Sequence, residues 1–376
     1  MQWVVIIFSL IALNACQKST GEMPAATPRK IPITIVDAPN DAKGDTGLWP
    51  NLIIDTQGKV HIVYCDGYLG DVKIAHFNTN TFQIETVEKK GAVGKYVSAI
   101  LGPRGIEMVY LDQTRKMLRY ASEEKSGWHF QDVTNDIEEI GISGRLILSA
   151  QNERMFVYYN TRNELMLSSG IPQANTADLL WQTRSLVHAG GFSNIRFGSR
   201  INQDGTIDLA FTDWRVSSAT LFTAKLNAQE IASPQVIDDD DVAGLANELL
   251  PANTDYDILY LASHHGLLYG SKKDPSGKRK RELLANNVSN FSAIASKDGR
   301  LIVALQTGRA EGLGAGDLEI AILQNHQWNR YVIDDARPGG QYISMAQSPG
   351  STTSNTIHVA YYDGLHHTLK YFSLSR

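Results

Sequence analysis

Cysteine is nearly absent from this chain of 376 residues, which carries only Cys16 and Cys65. Two thiols, one close to the start, give no disulfide framework, so the fold must rest on its core. A long apolar run is missing as well. Val4 to Leu13 is ten residues, about 15 Å as a helix against a bilayer core of about 30 Å. A basic excess is missing too: 35 Lys and Arg face 40 Asp and Glu, a net charge of −5, so no nucleic-acid partner is expected. With 43% hydrophobic residues the chain is not disordered, and 31 Gly with 12 Pro do not make it low-complexity. Catalytic signatures are absent: there is no Gly-x-Ser-x-Gly, Walker loop, dinucleotide fingerprint, His-Glu-x-x-His or Cys-x-x-Cys.

What is present begins with an address. The short apolar run ends in Leu13-Asn14-Ala15-Cys16, and a short apolar segment closed by a small residue reads as a secretory signal. Leu-x-Ala-Cys resembles the lipobox of bacterial lipoproteins. That resemblance implies cleavage after Ala15, lipidation of Cys16 and a membrane anchor, and Gln17 resembles the pattern of lipoproteins sent to the outer membrane. The expected organisation is a signal peptide over 1–15, a flexible tether over 16–30 and a folded domain over 31–376. The expected address is the exported cell envelope. Cys65, inside the apolar Val63-Tyr64-Cys65-Asp66, reads as a packed side chain rather than a nucleophile.

The folded region is a repeat. Strands ending in Tyr-x-Asp recur at Tyr64-Cys65-Asp66, Tyr110-Leu111-Asp112 and Tyr361-Tyr362-Asp363, with weaker copies at Tyr158, Phe211, Tyr260 and Ala304. These positions lie 44 to 57 residues apart, the spacing of propeller blades. Gly with Asp or Asn marks the turn after each unit's first strand, as in Asp55–Gly58 and Asn202–Gly205, and apolar residues alternate with period two. An all-β, seven-bladed propeller is therefore expected, with six or eight blades as the alternatives. The last unit ends on its third strand near Ser373. Its missing fourth strand is supplied by Ile31 to Asp37, which closes the ring and removes sheet edges.

The pattern Gly-x-x-x-Ser … Ile-x-Tyr-x-Asp … Leu-x-Tyr-Ala, carried by Ser98, Tyr110, Asp112, Leu118, Tyr120 and Ala121 and in part by Ser344, Tyr361, Asp363, Leu369 and Tyr371, resembles bacterial secreted β-propellers. More loosely it resembles the sialidase-like, BNR-type propellers. The sialidase Asp box, Ser-x-Asp-x-Gly-x-Thr-Trp, is absent, so the resemblance implies the fold and not that chemistry.

Candidate site residues follow from blade geometry, in which b–c and d–a loops share the face around the channel mouth. Asp66, Asp112, Asn160, Asp213 and Asp363 begin b–c loops. Two readings fit them: carboxylates ringing a pocket, or side chains capping their own turns. Trp49, Lys95, Tyr96, Arg145, Gln341 and Tyr342 from d–a loops, with Trp214, Arg215, His264, His265, His366 and His367 from b–c loops, would add an aromatic and polar rim. Such a rim suits a glycan or a peptide. Neighbouring His residues point apart, so no metal is expected at the His pairs. Asp238 to Asp241 reads either as a solvated loop or as one that holds Ca²⁺. Lys278 to Arg281 reads as an outer c–d hairpin. No cofactor is expected. The function expected is a monomeric, membrane-anchored binding or scaffolding module for a glycan or an envelope protein. The alternatives are a glycosidase or lyase using the same face, and a structural envelope subunit.

Overall fold

The computed structural model describes residues 31–375, except 42, 135–143, 163, 175, 189–196, 203, 216–217, 227–230, 240–241, 252–255, 264, 274–278, 297–298, 309–315, 325–326, 337–338 and 350–355. The signal, the tether and the lipidated Cys16 of the sequence reading lie outside the described residues. Residues 31–376 form one compact unit.

Seven four-stranded antiparallel sheets make a seven-bladed β-propeller. Blade 1 is β2 (Thr46–Ile54), β3 (Val60–Asp66), β4 (Asp71–Asn78) and β5 (Thr81–Glu88). Blade 2 is β6 (Lys95–Leu101), β7 (Ile106–Asp112), β8 (Met117–Glu124) and β9 (Gly127–Asp132). Blade 3 is β10 (Gly144–Leu148), β11 (Arg154–Tyr159), β12 (Glu164–Pro172) and β13 (Leu179–His188). Blade 4 is β14 (Gly198–Ile201), β15 (Ile207–Arg215), β16 (Ser218–Leu226) and β17 (Ile231–Asp238). Blade 5 is β18 (Ala243–Pro251), β19 (Tyr256–Ala262), β20 (Gly266–Lys273) and β21 (Arg279–Ala285). Blade 6 is β22 (Val288–Ala295), β23 (Leu301–Thr307), β24 (Leu318–Gln324) and β25 (Gln327–Asp334). Blade 7 takes β26 (Gln341–Gln347), β27 (Ile357–Asp363) and β28 (Thr368–Leu374) from one end of the unit and β1 (Thr34–Asp37) from the other. Thr34 pairs with Tyr371 and Asp37 with Leu369, so the ring closes as the repeat implied.

Burial follows position within a blade. The second strands β3, β7 and β27 are buried at every residue, because a neighbouring blade covers each face. The outer strands β5 and β25 are exposed at half or more of their residues. Among the described residues the apolar core divides into seven clusters, each filling the gap between two adjacent blades. Alternation decides which gap a residue enters: Met108 and Tyr110 face blade 1, while Val109 and Leu111 face blade 3.

That parity explains the repeat itself. The motif Tyr faces the preceding blade and donates its hydroxyl proton to an acid ending that blade's outer strand. Tyr64 reaches Asp37 at 2.7 Å, Tyr260 reaches Asp238 at 2.6 Å and Tyr361 reaches Asp334 at 2.5 Å, with Tyr110 on Glu88 the same contact. A cation from the third strand completes the lock in three of these gaps. Lys73 joins Asp37 and Asp66, Lys370 joins Asp334 and Asp363, and Arg119 joins Glu88 and Asp132. Burial, and then the acceptor carboxylate, pushes the Tyr64 and Tyr361 phenols far above their ordinary range, so both stay protonated donors. Between blades 2 and 3 the lock differs: buried Arg154 forks onto buried Glu107, at 2.7 Å from Nε and 2.6 Å from Nη2, and Tyr120 donates to the same carboxylate.

Cys65 is buried, and burial with nearby Asp66 pushes its thiol up to about 12, which fits the packed role.

Candidate functional site

The first strands line the centre, where β2 adjoins β6 and β26, β6 adjoins β10, and β18 adjoins β14 and β22. Between them lies a cavity of about 470 Å³. Its wall contains Trp49, Tyr96, Arg145, Gln341 and Tyr342 from the sequence reading, together with Glu248, Ser289, Asn290 and Gln306.

The three aromatic residues arrive by one local device. Gly47-x-Trp49, Gly94-x-Tyr96 and Gly340-x-Tyr342 occupy corresponding places where β2, β6 and β26 begin. In each strand the register shifts across the aromatic residue, between Leu48 and Asn51, Lys95 and Ser98, and Gln341 and Ser344. The aromatics have φ of 51°, 56° and 49°, a left-handed backbone that bulky residues rarely adopt. Gly94, at φ 90°, is required, because a Cβ there would lie 2.8 Å from Val72 Cγ2 of the preceding blade.

Four residues after each glycine a small polar side chain stitches adjacent blades. Ser344 Oγ accepts from Leu52 N at 3.0 Å, Asn51 Oδ1 from Ala99 N at 3.1 Å, and Ser98 Oγ from Leu146 N at 3.0 Å. The Gly-x-x-x-Ser spacing is thus a blade-to-blade seam, with the aromatic residue turned out of it. These residues belong to inner strands and not to d–a loops as expected, because the bulge continues the ladder past them.

Trp49 is the middle of the group. Its ring lies 5.0 Å from Tyr96, edge to face, and 5.4 Å from Tyr342, tilted, and Tyr342 lies 6.2 Å from Tyr362. Lys95 Nζ stands 4.9 Å from the Tyr96 ring centre. Burial, followed by Tyr96 and Asp45, raises the Tyr342 phenol above its ordinary pKa.

Blades 3, 5 and 6 contribute polar groups to the same wall. Arg145 Nη1 donates to the Phe197 carbonyl at 3.2 Å and lies 3.9 Å from Glu248 Oε1. Ser289 Oγ donates to Gln306 Oε1 at 2.7 Å. Gln306 stands where the repeat has Asp, in the blade whose motif Tyr is Ala304. That loss of the motif is the signal the sequence carries for this side of the wall. Glu248 follows Asn247, whose Oδ1 accepts from Gly198 N at 2.7 Å, and carries no repeat signal.

Other candidates serve their own turns. Asp66 Oδ1 accepts from Leu69 N at 2.9 Å, Asp112 Oδ1 from Arg115 N at 2.9 Å, and Asp363 Oδ1 from Leu365 N at 2.9 Å, which makes them turn caps. Asn160 does the same with Arg162 N and Glu164 N. His366 Nδ1 is 2.7 Å from Asp363 Oδ2, and His367 Nδ1 is 2.8 Å from the Tyr362 hydroxyl. His265 is exposed in a turn, and His264 lies outside the described residues. Asp213, Trp214 and Arg215 belong to β15, which runs on past the motif where a b–c loop was expected.

Asp238 is buried and holds Tyr260 and Arg281, the latter at 2.8 Å, so it is not free for a cation loop; Asp240 and Asp241 lie outside the described residues. Among the described residues no group of three or more metal-ligating side chains comes together. Arg279 to Arg281 open β21, the outer arm of the c–d hairpin that β20 begins, and Lys278 lies outside the described residues. No helix among the described residues is long and apolar enough to cross a membrane.

No protein-family model and no curated protein matches the chain. Solved structures do. A puromycin-hydrolysing peptidase of Mycobacterium tuberculosis aligns at 12% identity over 89% of this chain and 54% of its own, with a TM-score of 0.54. A single-residue variant of a lectin from Aleuria aurantia, in complex with α-methyl-L-fucoside, aligns at 14% identity over 74% and 90%, with a TM-score of 0.48. A variant sialidase of Trypanosoma rangeli aligns at 10% identity over 79% and 56%, with a TM-score of 0.47. At such identities the likeness is one of fold.

Proposed function

We propose that the protein is a glycan-binding module that takes the end of a sugar chain into its channel-mouth cavity. The observation that carries this reading is the aromatic arc of Trp49, Tyr96 and Tyr342, three rings held at positive φ on neighbouring inner strands. Such backbone costs on the order of 1–3 kcal/mol per residue and persists where the surroundings enforce it, as they do at binding sites. Facing the arc are amides, a serine and an ion pair. An apolar wall opposite convergent hydrogen-bonding groups suits a sugar ring, which has a C–H face and a hydroxyl rim. A cavity of about 470 Å³ accepts a small group and not a folded protein surface.

Binding is favoured over glycosidic hydrolysis by the wall's composition. Most glycosidases place two carboxyl groups about a bond. Among the described lining residues Glu248 is a single carboxylate, and it faces Arg145. The cellular setting we propose is an exported lipoprotein tethered through Cys16, on the strength of Leu13-Asn14-Ala15-Cys16. Cys16→Ser should release the protein from membranes, and a variant that still sediments with membranes refutes the anchor.

A glycan array probed with soluble protein starting at Lys18 tests the binding reading. Selective binding that is lost in Trp49→Ala and retained in Asp66→Asn is the expected result. Absence of binding by the folded wild type overturns it.

A further inference from the structure

The cavity's charges narrow the class of sugar, on the premise that it binds a glycan at all. We infer that the unit it accepts is uncharged, an unsubstituted sugar ring rather than a uronic acid, a sialic acid or a sulfated sugar. Among the described residues Arg145 is the cation lining the cavity. Its guanidinium is already directed at Glu248, 3.9 Å away, and at the Phe197 carbonyl, 3.2 Å away. An acidic sugar would have to take that guanidinium from a carboxylate that stays beside it.

Glu248 cannot readily move off, since its side chain is only 12% exposed. The bound anion would then face a like charge in a poorly solvated wall, where repulsion is screened weakly. Behind the aromatic side, outside the lining, stands a further carboxylate. Asp45 accepts from the Tyr362 hydroxyl at 2.5 Å, and Tyr362 packs against Tyr342. Lys95, the cation near Tyr96, lies over that ring outside the cavity lining. The remaining polar partners on the far side, Ser289, Asn290 and Gln306, are neutral, able to donate to and accept from hydroxyls. Three aromatic rings complete the enclosure with faces that favour C–H groups over carboxylate.

The experiment uses matched array pairs that differ only by the acid group: glucose against glucuronic acid, and galactose against sulfated or sialylated galactose. The neutral member should bind at least about tenfold tighter in every pair that binds, with little change between low and high salt. Equal or tighter binding of an acidic member overturns the inference while leaving glycan binding intact. No binding to any sugar overturns both. Glu248→Gln should shrink the neutral preference toward unity, since the wall then loses the charge that repels an acid. An unchanged preference in that variant, with an unchanged melting temperature, removes Glu248 as the source of the discrimination and overturns the charge argument.

Discussion

The Tyr64 hydroxyl donates to Asp37 Oδ2 across 2.7 Å, and through it the first blade grips the strand that the start of the folded unit lends to the last. Tyr361 and Asp334 repeat the contact one blade earlier. A hydrogen bond to a charged acceptor contributes about 1.5–3 kcal/mol. Tyr64→Phe should therefore lower stability by about 2 kcal/mol, read as a shift in the urea midpoint at constant slope. A midpoint equal to wild type would show that Thr46 and Lys73 satisfy Asp37 without it.

The Arg154–Glu107 fork is almost wholly enclosed, with side chains 3% and 0% exposed. Arg154→Met strands a buried carboxylate and should cost about 3–5 kcal/mol. The double variant with Glu107→Gln should recover more than half of that. A double-mutant cycle in which the two costs simply add would show no coupling between them.

His358 gives the protein a pH-sensitive core. Burial pushes this imidazole down to about 4, and it sits 2.6 Å from the Tyr371 hydroxyl and 2.8 Å from Ser348 Oγ. Between about pH 6.5 and 4 the unfolded chain binds a proton there that the folded chain does not. Stability present above about pH 6.5 is therefore lost as the pH falls through that window, by about 3 kcal/mol in all. His76, lowered by burial and by His61, acts in the same direction. Urea midpoints at about pH 7 and about pH 4.5 should differ less in His358→Asn than in wild type, and equal differences would acquit His358.

Trp49→Gly separates strain from recognition. Glycine adopts φ of 51° without penalty, so the loss of ring packing is partly offset by relief of about 1 kcal/mol or more. The variant should stay folded, with a small change in melting temperature, and bind glycan at least about tenfold more weakly. Binding at the wild-type level would exclude the aromatic arc from recognition.

Architecture was legible because it repeats. The Tyr-x-Asp strands and the Gly and Asn turns recur at intervals a reader can align, and Ile31 to Asp37 matches the outer strand that ends at Asp334. The locks were half visible: the tyrosines stood out, while their acceptors Asp37, Glu88, Asp238 and Asp334, each following Val or Ile, read as ordinary strand ends. The site was harder for a physical reason. Trp49, Tyr96 and Tyr342 have a backbone that their own propensities oppose, so no local rule announces the bulge. Glu248, Asn290 and Gln306 come from blades where the motif has decayed, and an asymmetric wall leaves no periodic trace.

Because β1 pairs with β28, the ring is fastened by its two extremes. A nascent chain must hold Thr34–Asp37 in reserve until Thr368–Leu374 exists to receive it, with every other strand of the ring made in between. Six blades can stack in turn while the seventh gap stays open, its edge available to a stray strand from another copy. Closure therefore depends on a pairing between strands far apart in sequence, the kind of contact that slows folding and leaves an edge open to swapping until it forms.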